Sequence, residues 1–304
     1  MADVDLDLLA TFVRVYEAGN VTRAAADLGL SQPTVSHALG RLRRRLDDEL
    51  FVRAPGGVRP TELADALYRD SAGAIGALRV AVERARGFDP TTSQRRFRLA
   101  LTDLGETAIL PGVVERLVDE APRVDLEVVA MDVDQARTWL LTGEVDLAVA
   151  TTTLGGGLAD DLLFDEWYVL AMRRGHPLAH VRLTPEHVAA ASHVVVPVAV
   201  GHRIPEQVMD RLHIDHRVAL STRTFAAVPA ILERTDLVAV LPWGAYRSYP
   251  GRAGLVTRSL PFDVPEVSVR LYHRREGLSP AVEWLRRTVV AASVRPDDWA
   301  DPEA

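Results

Sequence analysis

The apolar residues of the amino-terminal part recur at helical spacing in three short segments. A first amphipathic segment begins at Leu6 and ends near Gly19. A second follows Asn20, and a third follows Ser31; both are residue types that cap helix N-termini. The third has apolar positions at i, i+4, i+7 and i+11, namely Val35, Leu39, Leu42 and Leu46. The pattern predicts two helices, joined by a tight turn at Gly29 and packed on a first helix.

Away from its apolar stripe, the third segment carries amide, hydroxyl, imidazole and guanidinium groups. These are Gln32, Ser36, His37, Arg41, Arg43, Arg44 and Arg45, with Pro33 in the first turn. A recognition helix in the DNA major groove reads base edges with its N-terminal residues. Gln and Ser reach base edges, and Arg reaches guanine or phosphate. By themselves, these residues fit an exposed face of an ordinary helical hairpin equally well.

A hairpin and a long helix are predicted next. Residues 50–53 and 58–60 are short strand candidates around the turn Pro55-Gly56-Gly57. Arg53 and Arg59 in this wing suit backbone or minor-groove contacts, or are simply solvated charges. Residues 61–88 form one helical pattern whose apolar stripe is Leu63, Leu67, Ile75, Leu78 and Val82. A second copy of the chain or its own domain must cover that stripe.

From residue 96 onward, strand and helix patterns alternate. The predicted strands span 97–101, 126–130, 146–150, 167–172, 193–197, 218–221, 237–241 and 267–272. The predicted helices span 106–120, 133–141, 185–191, 205–212, 225–233 and 281–292, with residues 102–105 as a polar break. Such alternation predicts parallel sheets with helices on both faces, arranged as two lobes with a cleft between them.

Ligands of open α/β sheets bind beyond the carboxyl ends of the strands. Residues in that position are Thr102, Asp103, Thr151, Thr152, Gly201, His202, Thr222, Thr224 and Phe225. Each threonine, and Asp103, is equally a candidate helix cap. His202 is equally a surface histidine.

The composition of the 304 residues reduces the number of functional classes to which the protein can belong. The net charge is −7, yet arginines cluster near the amino end, and a local patch matters more for DNA than the total charge. Every basic residue is arginine, so Schiff-base chemistry on lysine is excluded. There is no cysteine, no HExxH, GxSxG or GxGxxG motif and no cofactor signature. The start lacks a signal-peptide pattern and no run of 18 apolar residues occurs, so we expect a cytoplasmic protein without contact to a membrane.

Residues 5–88 resemble the amino-terminal module of LysR-type transcriptional regulators. The resemblance lies in DLDLLATFVRVYEAGNVTRAAADL, in LSQPTVSHALGRLRRRLDDELFVR and in GGVRPTELA. It implies contacts to double-stranded DNA from Thr22, Ser31, Gln32, Pro33, Thr34, Ser36, His37, Arg41, Arg53 and Arg59. The position of His37 is often arginine in this family, so the operator sequence is not expected to match that of relatives.

Residues 92–295 resemble the effector domain of the same family, which is similar to periplasmic solute-binding proteins. The stretches TDLGETAILPGVVERL, RRGHPLA and TFAAVPAILERTDLVAVLP resemble the subgroup that responds to salicylate, nitroaromatic and chlorinated aromatic compounds. The resemblance implies an effector site that includes Thr102, Asp103, Thr151, Thr152, Gly201, His202, Thr224, Phe225 and Trp243. Some salicylate-type members carry an arginine where this chain has Gly244, and Arg203 or Arg247 is a candidate substitute.

The expected fold is therefore α/β, with an N-terminal all-α winged helix-turn-helix and an effector domain of two α/β lobes. The expected divisions are a DNA-binding domain (1–60), a linker helix (61–88), a hinge (89–95) and an effector domain (96–304). Lobe one is expected at about 96–165 and 273–295, and lobe two at about 166–272. The predicted function is a non-enzymatic regulator that acts as a homodimer or a dimer of dimers (a homotetramer). A cytoplasmic solute-binding receptor and an α/β enzyme remain the alternatives.

Overall fold

A computed structural model describes residues 5–196, 204–249 and 252–293. The chain divides into two compact units. The first consists of the amino-terminal residues up to Phe88 together with residues 141–144 and 277–280, and the second consists of the other residues from Asp89 onward.

The amino-terminal unit is a helical module with a two-stranded wing. Its elements are α1 (Leu6–Ala18), α2 (Val21–Leu28), α3 (Gln32–Leu46), β1 (Phe51–Ala54), β2 (Gly57–Pro60) and α4 (Glu62–Arg86). The Asn20 side chain accepts hydrogen bonds from the N–H groups of Thr22 and Arg23, at 2.9 and 3.2 Å. Ser31 accepts one from the N–H of Thr34 at 3.3 Å. Both predicted caps are therefore present, and they fix the turn between α2 and α3.

The apolar stripe of α3 faces the core of this unit along most of its length. Val35, Leu39 and Leu42 are buried, together with Phe12 of α1. Leu46 was expected in the same stripe but is 37% exposed. It is the last residue of α3, where the helix has already passed the end of the core.

The wing begins one residue later than the sequence pattern predicts. Leu50 is fully buried and adopts a left-handed φ of 58°, so it belongs to the turn that precedes β1. β1 and β2 pair antiparallel, and the backbone N–H of Val58 donates to the carbonyl of Gly19 at 2.8 Å. This bond ties the wing to the junction between α1 and α2.

The long helix α4 packs its first turns on α1. The rings of Tyr16 and Tyr68 stack with centroids 4.0 Å apart, and the Tyr16 hydroxyl donates to Asp65 Oδ1 at 2.7 Å. Burial raises the pKa of Tyr16 to about 12. Farther along the expected stripe, Leu78 and Val82 are 48% and 53% exposed. The unit itself therefore covers only part of that stripe.

The second unit contains two mixed sheets. The first sheet, in spatial order, consists of β4 (Asp125–Ala130), β3 (Arg96–Leu101), β5 (Leu147–Ala150), β12 (Val267–Arg274) and β6 (Leu158–Glu166). The second consists of β11 (Leu255–Ser259), β7 (Tyr168–Arg173), β10 (Leu237–Pro242), β8 (Ser192–Val195) and β9 (Arg217–Ser221). We call the regions around the first and second sheets the first and second lobes.

Helices surround these sheets. They are α5 (Asp103–Ala108), α6 (Leu110–Glu120), α7 (Val133–Thr142), α8 (Pro185–Ala190), α9 (Ile204–Arg211), α10 (Val228–Leu232), α11 (Trp243–Ser248) and α12 (Pro280–Ala292). Short 3-10 helices span Pro177–His180, Phe225–Ala227 and Arg252–Gly254. Among the described residues, no helix is both long and apolar enough to cross a membrane.

Several sequence-based expectations about this unit are wrong. The sheets are mixed rather than parallel, because β12 runs antiparallel to β5 and β6, and β7 runs antiparallel to β10 and β11. Since β12 lies in the first sheet, residues 267–272 belong to the first lobe and not to the second. The expected polar break at 102–105 is helical from Asp103, because Thr102 caps α5 by accepting from the N–H of Gly105 at 3.3 Å.

The sequence pattern also missed β6, β11 and α11. In β6 the acidic residues Asp160, Asp161 and Asp165 interrupt the apolar positions. These carboxylates accept hydrogen bonds from Arg270, Arg286 and Ser268, respectively, at 2.5–2.7 Å. Partners on β12 and α12 therefore allow an acidic strand at the edge of the sheet.

Candidate functional site

All ten residues expected to contact DNA are exposed on the amino-terminal unit. Six of them, Ser31, Gln32, Pro33, Thr34, Ser36 and His37, lie at the start of α3. Gln32 Nε2 donates to the Ser36 hydroxyl at 3.0 Å, and the Ser31 and Thr34 hydroxyls are 2.8 Å apart. The polar groups at the helix start are thus oriented by one another while remaining accessible.

The arginines farther along α3 differ in their surroundings. Arg41 forms an ion pair with Asp5 at 3.0 Å, and both side chains are partly exposed. Exposed pairs of this kind are worth about 0–1 kcal/mol, so a phosphate can displace the carboxylate. Arg43 donates to the carbonyl of Glu49 at 2.6 Å and so connects α3 to the residues before the wing. Arg41 therefore remains a candidate for DNA contact, whereas Arg43 has a structural role.

The two wing arginines point from opposite faces of the hairpin. Arg53 pairs with Val58 across the strands, and Arg59 pairs with Val52. Directly paired residues of an antiparallel hairpin share a face, and neighbouring residues alternate between faces. Arg53 and Arg59 are both exposed, but they do not form one patch on a single face of the wing.

A groove separates the tip of the wing from the start of α2. It has a volume of about 550 Å³, and Asn20, Thr22 and Gly56 contribute to its walls. Asn20 Nδ2 donates to the Gly56 carbonyl at 3.3 Å across one end of the groove. Thr22, the remaining α-helical residue of the expected DNA surface, lies on this wall.

In the second unit, a cavity lies between the two lobes. Its volume is about 40 Å³, which is room for a few water molecules. It is lined by Thr102, Leu104, Gly105, Ala108, Ile109, Val149, Ala150, Thr151, Phe164, Glu166, Pro242, Ala245 and Val269. The lining is thus mostly apolar, with two hydroxyls and one carboxyl group.

The polar groups of this cavity come from the ends of strands. Glu166, the last residue of β6, accepts a hydrogen bond from the backbone N–H of Gly244 at 2.7 Å. Thr151 directly follows β5, and its buried Oγ1 has no hydrogen-bond partner among the described residues. The Thr102 hydroxyl caps α5 and lines the cavity as well. Buried polar groups are normally satisfied, so the Thr151 hydroxyl is a candidate ligand contact.

Asp103 connects the two lobes instead of lining this cavity. Its Oδ2 accepts a hydrogen bond from the backbone N–H of Phe225 at 2.5 Å. The carbonyl of Phe225 in turn accepts one from the buried hydroxyl of Tyr249 at 3.1 Å. Burial raises the pKa of Tyr249, and the nearby Asp103 carboxylate raises it further. Tyr249 therefore stays protonated and serves as a donor.

Other expected effector residues lie away from the cavity wall. Trp243 is buried and stacks on Trp167 and Tyr246, with ring centroids 6.1 and 5.4 Å apart. The guanidinium carbon of Arg247 lies 5.9 Å from the centroid of the Trp243 ring. Neither side chain lines the cavity. Trp167, Trp243 and Tyr246 form a group of stacked rings, and Arg247 lies over one of them.

The other residues predicted at the effector site do not line the interlobe cavity or are not described. Phe225 is buried in the core of the second lobe and lines a smaller cavity there, beside His193. Thr224 is exposed and makes no side-chain capping bond, and Thr152 is half-buried outside the cavity wall. Gly201, His202 and Arg203 lie outside the described residues. Within the described ranges, no group of three or more His, Asp or Glu side chains could hold a metal ion.

Sequence reasoning did not select most of the residues that line the cavity. Phe164 and Glu166 were missed because β6 was missed, and Val269 because β12 was assigned to the other lobe. Ala108, Ile109 and Ala245 carry no chemical signal, so only their position in the fold could identify them.

Comparison with known proteins assigns both units. Residues 6–65 match the family model described as a bacterial regulatory helix-turn-helix protein of the lysR family, and residues 91–293 match the LysR substrate binding domain. The HTH-type transcriptional activator NahR of Pseudomonas putida is 36% identical, over 94% of this chain and 97% of its own. The HTH-type transcriptional regulator LinR of Sphingobium indicum is 31% identical, over 94% and 95%.

Solved structures agree with this assignment. The probable transcriptional regulator PA0477 from Pseudomonas aeruginosa is 34% identical, with a TM-score of 0.70 over 94% of this chain and 96% of that one. Full-length OxyR from Pseudomonas aeruginosa has a TM-score of 0.74 over 95% of each chain, at 22% identity, and shows the shared fold. The chain therefore belongs to the LysR family of bacterial transcriptional regulators.

Proposed function

We propose that this chain regulates transcription in response to a small aromatic effector that binds between the two lobes. The observation that carries the proposal is the interlobe cavity, whose wall is mostly apolar, includes Phe164 and contains two hydroxyl groups and one carboxyl group. Ligand sites of proteins are typically apolar clefts with a few placed polar groups. The sequence resemblance to the aromatic-responsive subgroup supports the same class of effector.

The cavity volume of about 40 Å³ is too small for an aromatic ring. Binding therefore requires the lobes or the lining side chains to move, and a ligand shifts an equilibrium between arrangements only if it favours one of them. A ring inserted between the lobes favours the more open arrangement. The effector thus changes the relation between the lobes, which is the kind of domain movement that regulators convert into an output.

The DNA-binding part of the proposal rests on the exposed start of α3. Gln32, Ser36 and His37 provide groups that hydrogen-bond base edges, and Arg41, Arg53 and Arg59 provide charges for phosphates. The remaining members of the proposed surface are Thr22, Ser31, Pro33 and Thr34. Because it acts on DNA, we place the regulator in the cytoplasm.

A homodimer or a dimer of dimers is part of the proposal. Leu63, Leu78 and Val82 of α4 are 40–53% exposed although they belong to one apolar stripe. A second copy of α4 would cover them, as two amphipathic helices cover each other's apolar faces. Two copies of α3 would then read the two half-sites of a pseudo-palindromic operator.

A binding experiment on the full-length protein tests this function. Thermal unfolding is followed with increasing concentrations of phenols, nitroaromatics and aromatic acids, and with their saturated-ring analogues. An aromatic effector raises the melting temperature with concentration, its saturated analogue does so less, and Phe164→Leu weakens the response. The substitution Leu162→Ala, at an exposed position of the same strand, is the matched control.

The same compounds are then added to gel shifts with the DNA upstream of the gene. The proposal requires that a stabilising compound also changes either the affinity of the protein for that DNA or the length of DNA that the protein protects. Absence of any stabilising aromatic compound, or stabilisation without an effect on DNA binding, would contradict it. Absence of salt-sensitive, sequence-preferring binding to the upstream DNA would also contradict it.

A further inference from the structure

The Asn20 side chain joins the start of α2 to the tip of the wing. Its Oδ1 accepts from the N–H groups of Thr22 and Arg23 at 2.9 and 3.2 Å, and its Nδ2 donates to the Gly56 carbonyl at 3.3 Å. The two N–H donors require the amide oxygen on the side of α2, so the amide nitrogen faces the wing. One side chain therefore caps a helix and holds a turn that is 36 residues away in the chain.

The wing depends on contacts with the helices for its position. β1 and β2 form a sheet of two strands, and a two-stranded hairpin is marginally stable by itself. The base of the hairpin is anchored in the core of the unit by the buried residues Leu50 and Phe51. The tip is a turn in which Gly56 has a left-handed φ of 84°, and it is held separately from the base.

The tip meets the junction between α1 and α2 in three contacts. The N–H of Val58 donates to the Gly19 carbonyl at 2.8 Å. Gly57 approaches the same carbonyl so closely that a Cβ atom would lie 2.1 Å from the oxygen. These two contacts involve backbone atoms and do not depend on the side chain at position 20. The third contact, from Asn20 to Gly56, requires an amide.

The wing arginine Arg53 lies next to these contacts. It is the register partner of Val58, the residue whose N–H is bonded to Gly19. A displacement of the tip therefore moves Arg53 relative to α2, and through the turn at Gly29 relative to the start of α3. The groove of about 550 Å³ between the tip and α2 leaves room for such a displacement.

We propose that Asn20 is a positioning residue for DNA binding: its amide sets the distance between the wing and α2, so that Arg53 reaches the DNA backbone while the start of α3 lies in the major groove. Asn20 acts through Arg53 and does not itself have to touch DNA. This inference rests on the proposed function, because it concerns the geometry of the same DNA-binding surface.

The capping and the positioning role of Asn20 can be separated by substitution. Serine and aspartate cap helices about as well as asparagine. Aspartate has no hydrogen-bond donor, and the single oxygen of serine is one bond closer to the backbone than the amide nitrogen. Asn20→Ser and Asn20→Asp therefore keep α2 capped and remove the bond to Gly56, whereas Asn20→Ala removes the cap as well.

The test measures thermal unfolding and binding of the full-length protein to the DNA upstream of its gene. Asn20→Ser should melt close to the wild type, and Asn20→Ala should melt lower. Asn20→Ser should nevertheless bind the DNA about two- to tenfold more weakly, which is the size of one neutral hydrogen bond. Asn20→Asp should show a larger loss at low salt, because of its charge, and the same loss as Asn20→Ser at high salt.

A double-mutant cycle with Arg53→Ala distinguishes positioning from a general structural role. If Asn20 acts through Arg53, Asn20→Ser should cause no further loss of affinity in the Arg53→Ala protein. Hydroxyl-radical footprints should agree with this: Asn20→Ser loses protection at the DNA backbone beside the wing and keeps the protection given by α3. A loss of stability alone would not produce this pattern.

The outcomes separate this inference from the proposed function. Equal DNA affinity of Asn20→Ser and the wild type, or additive losses from Asn20→Ser and Arg53→Ala, overturns the positioning role while the regulator remains. Weaker binding by Asn20→Ser together with unchanged binding by Arg53→Ala also overturns it. If the wild type does not bind the upstream DNA, both the positioning role and the proposed function are wrong.

Discussion

Asp103 of the first lobe and Phe225 of the second are joined by a 2.5 Å hydrogen bond from the Phe225 backbone N–H to the Asp103 carboxylate. Asp103 follows the cap of α5, and Phe225 begins the short 3-10 helix that leads to α10. The bond therefore connects two helix starts across the interlobe boundary. A change in the distance between the lobes must stretch or break it.

Asp103→Ala should loosen the contact between the lobes. Hydrogen bonds to charged groups contribute about 1.5–3 kcal/mol, so the free energy of unfolding of the effector domain should fall by about that amount. The affinity for an effector that requires the lobes to separate should rise, because less energy opposes the separation. Urea unfolding and calorimetric titration measure the two effects.

Asp103→Asn is the matched control for this variant. The amide oxygen of asparagine still accepts from the Phe225 N–H but carries no charge, so its effect should be clearly smaller than that of alanine. Equal destabilisation by both substitutions would mean that the charge, and not the bond between the lobes, determines the stability.

Gly57→Ala should disrupt the wing. A Cβ atom at this position would lie 2.1 Å from the Gly19 carbonyl oxygen, to which Val58 is hydrogen-bonded. The wing must shift away, at a cost of about 1–3 kcal/mol, and DNA affinity should fall with it. Gly73→Ala in α4 is the control, because a Cβ there meets no atom within 4 Å; we expect it to stabilise the helix by about 0.5–1 kcal/mol. The two thermal shifts should have opposite signs.

Gln32→Ala should reduce sequence discrimination. Gln32 is exposed at the first residue of α3 and is held by its bond to Ser36. Loss of a good base contact costs about 1–3 kcal/mol at particular base pairs. Gel shifts with single base-pair variants of the operator measure this loss. An equal decrease on operator and random DNA would assign Gln32 to the backbone instead.

Arg53→Ala should weaken binding to all DNA sequences alike. Each lost phosphate contact reduces the salt slope by about 1, which titrations at several salt concentrations measure. Arg53 and Arg59 point from opposite faces of the wing. We therefore expect Arg59→Ala to change the DNA affinity and the salt slope by a different amount from Arg53→Ala. Identical salt slopes for the wild type and both variants would remove the wing from the DNA interface.

The free energy of unfolding of the effector domain should depend on pH through the protonation of His193. Burial lowers the pKa of this histidine from an ordinary value of 6.5 to about 4; the hydrogen bond to the Val188 carbonyl opposes this shift, and the nearby His216 adds to it. The unfolded chain therefore binds the proton more readily between pH 6.5 and 4, so stability is complete above this window and falls as the pH decreases through it. The loss amounts to roughly 3 kcal/mol.

His193→Gln should flatten this part of the stability profile. Glutamine does not titrate and can still donate to the Val188 carbonyl, which His193 Nε2 contacts at 2.8 Å. Urea unfolding of both proteins at several pH values gives the difference. A profile of His193→Gln parallel to that of the wild type would show that other groups cause the acid sensitivity.

Local signals determined the DNA-binding unit almost completely. Asn20, Ser31 and the apolar stripe of α3 act within a few residues of sequence, and the structure places them as the pattern predicts. The two wrong predictions concern Leu46 and Leu50, which lie at the end of α3 and just before β1. At the ends of helices and strands, tertiary packing decides which residues are buried and where the element stops. The sequence also determined the alternation of strands and helices that identifies an α/β effector domain.

Tertiary structure alone decided the order of the sheets and the wall of the cavity. β12 joins the first sheet although it follows the second lobe in sequence, and β6 is a strand because arginines from β12 and α12 bind its aspartates. Glu166 reaches the cavity for the same reason, since it ends that strand and is held by Gly244. Helix caps and periodicity are properties of neighbours in sequence, whereas the chemistry of the cavity depends on contacts between residues far apart in the chain.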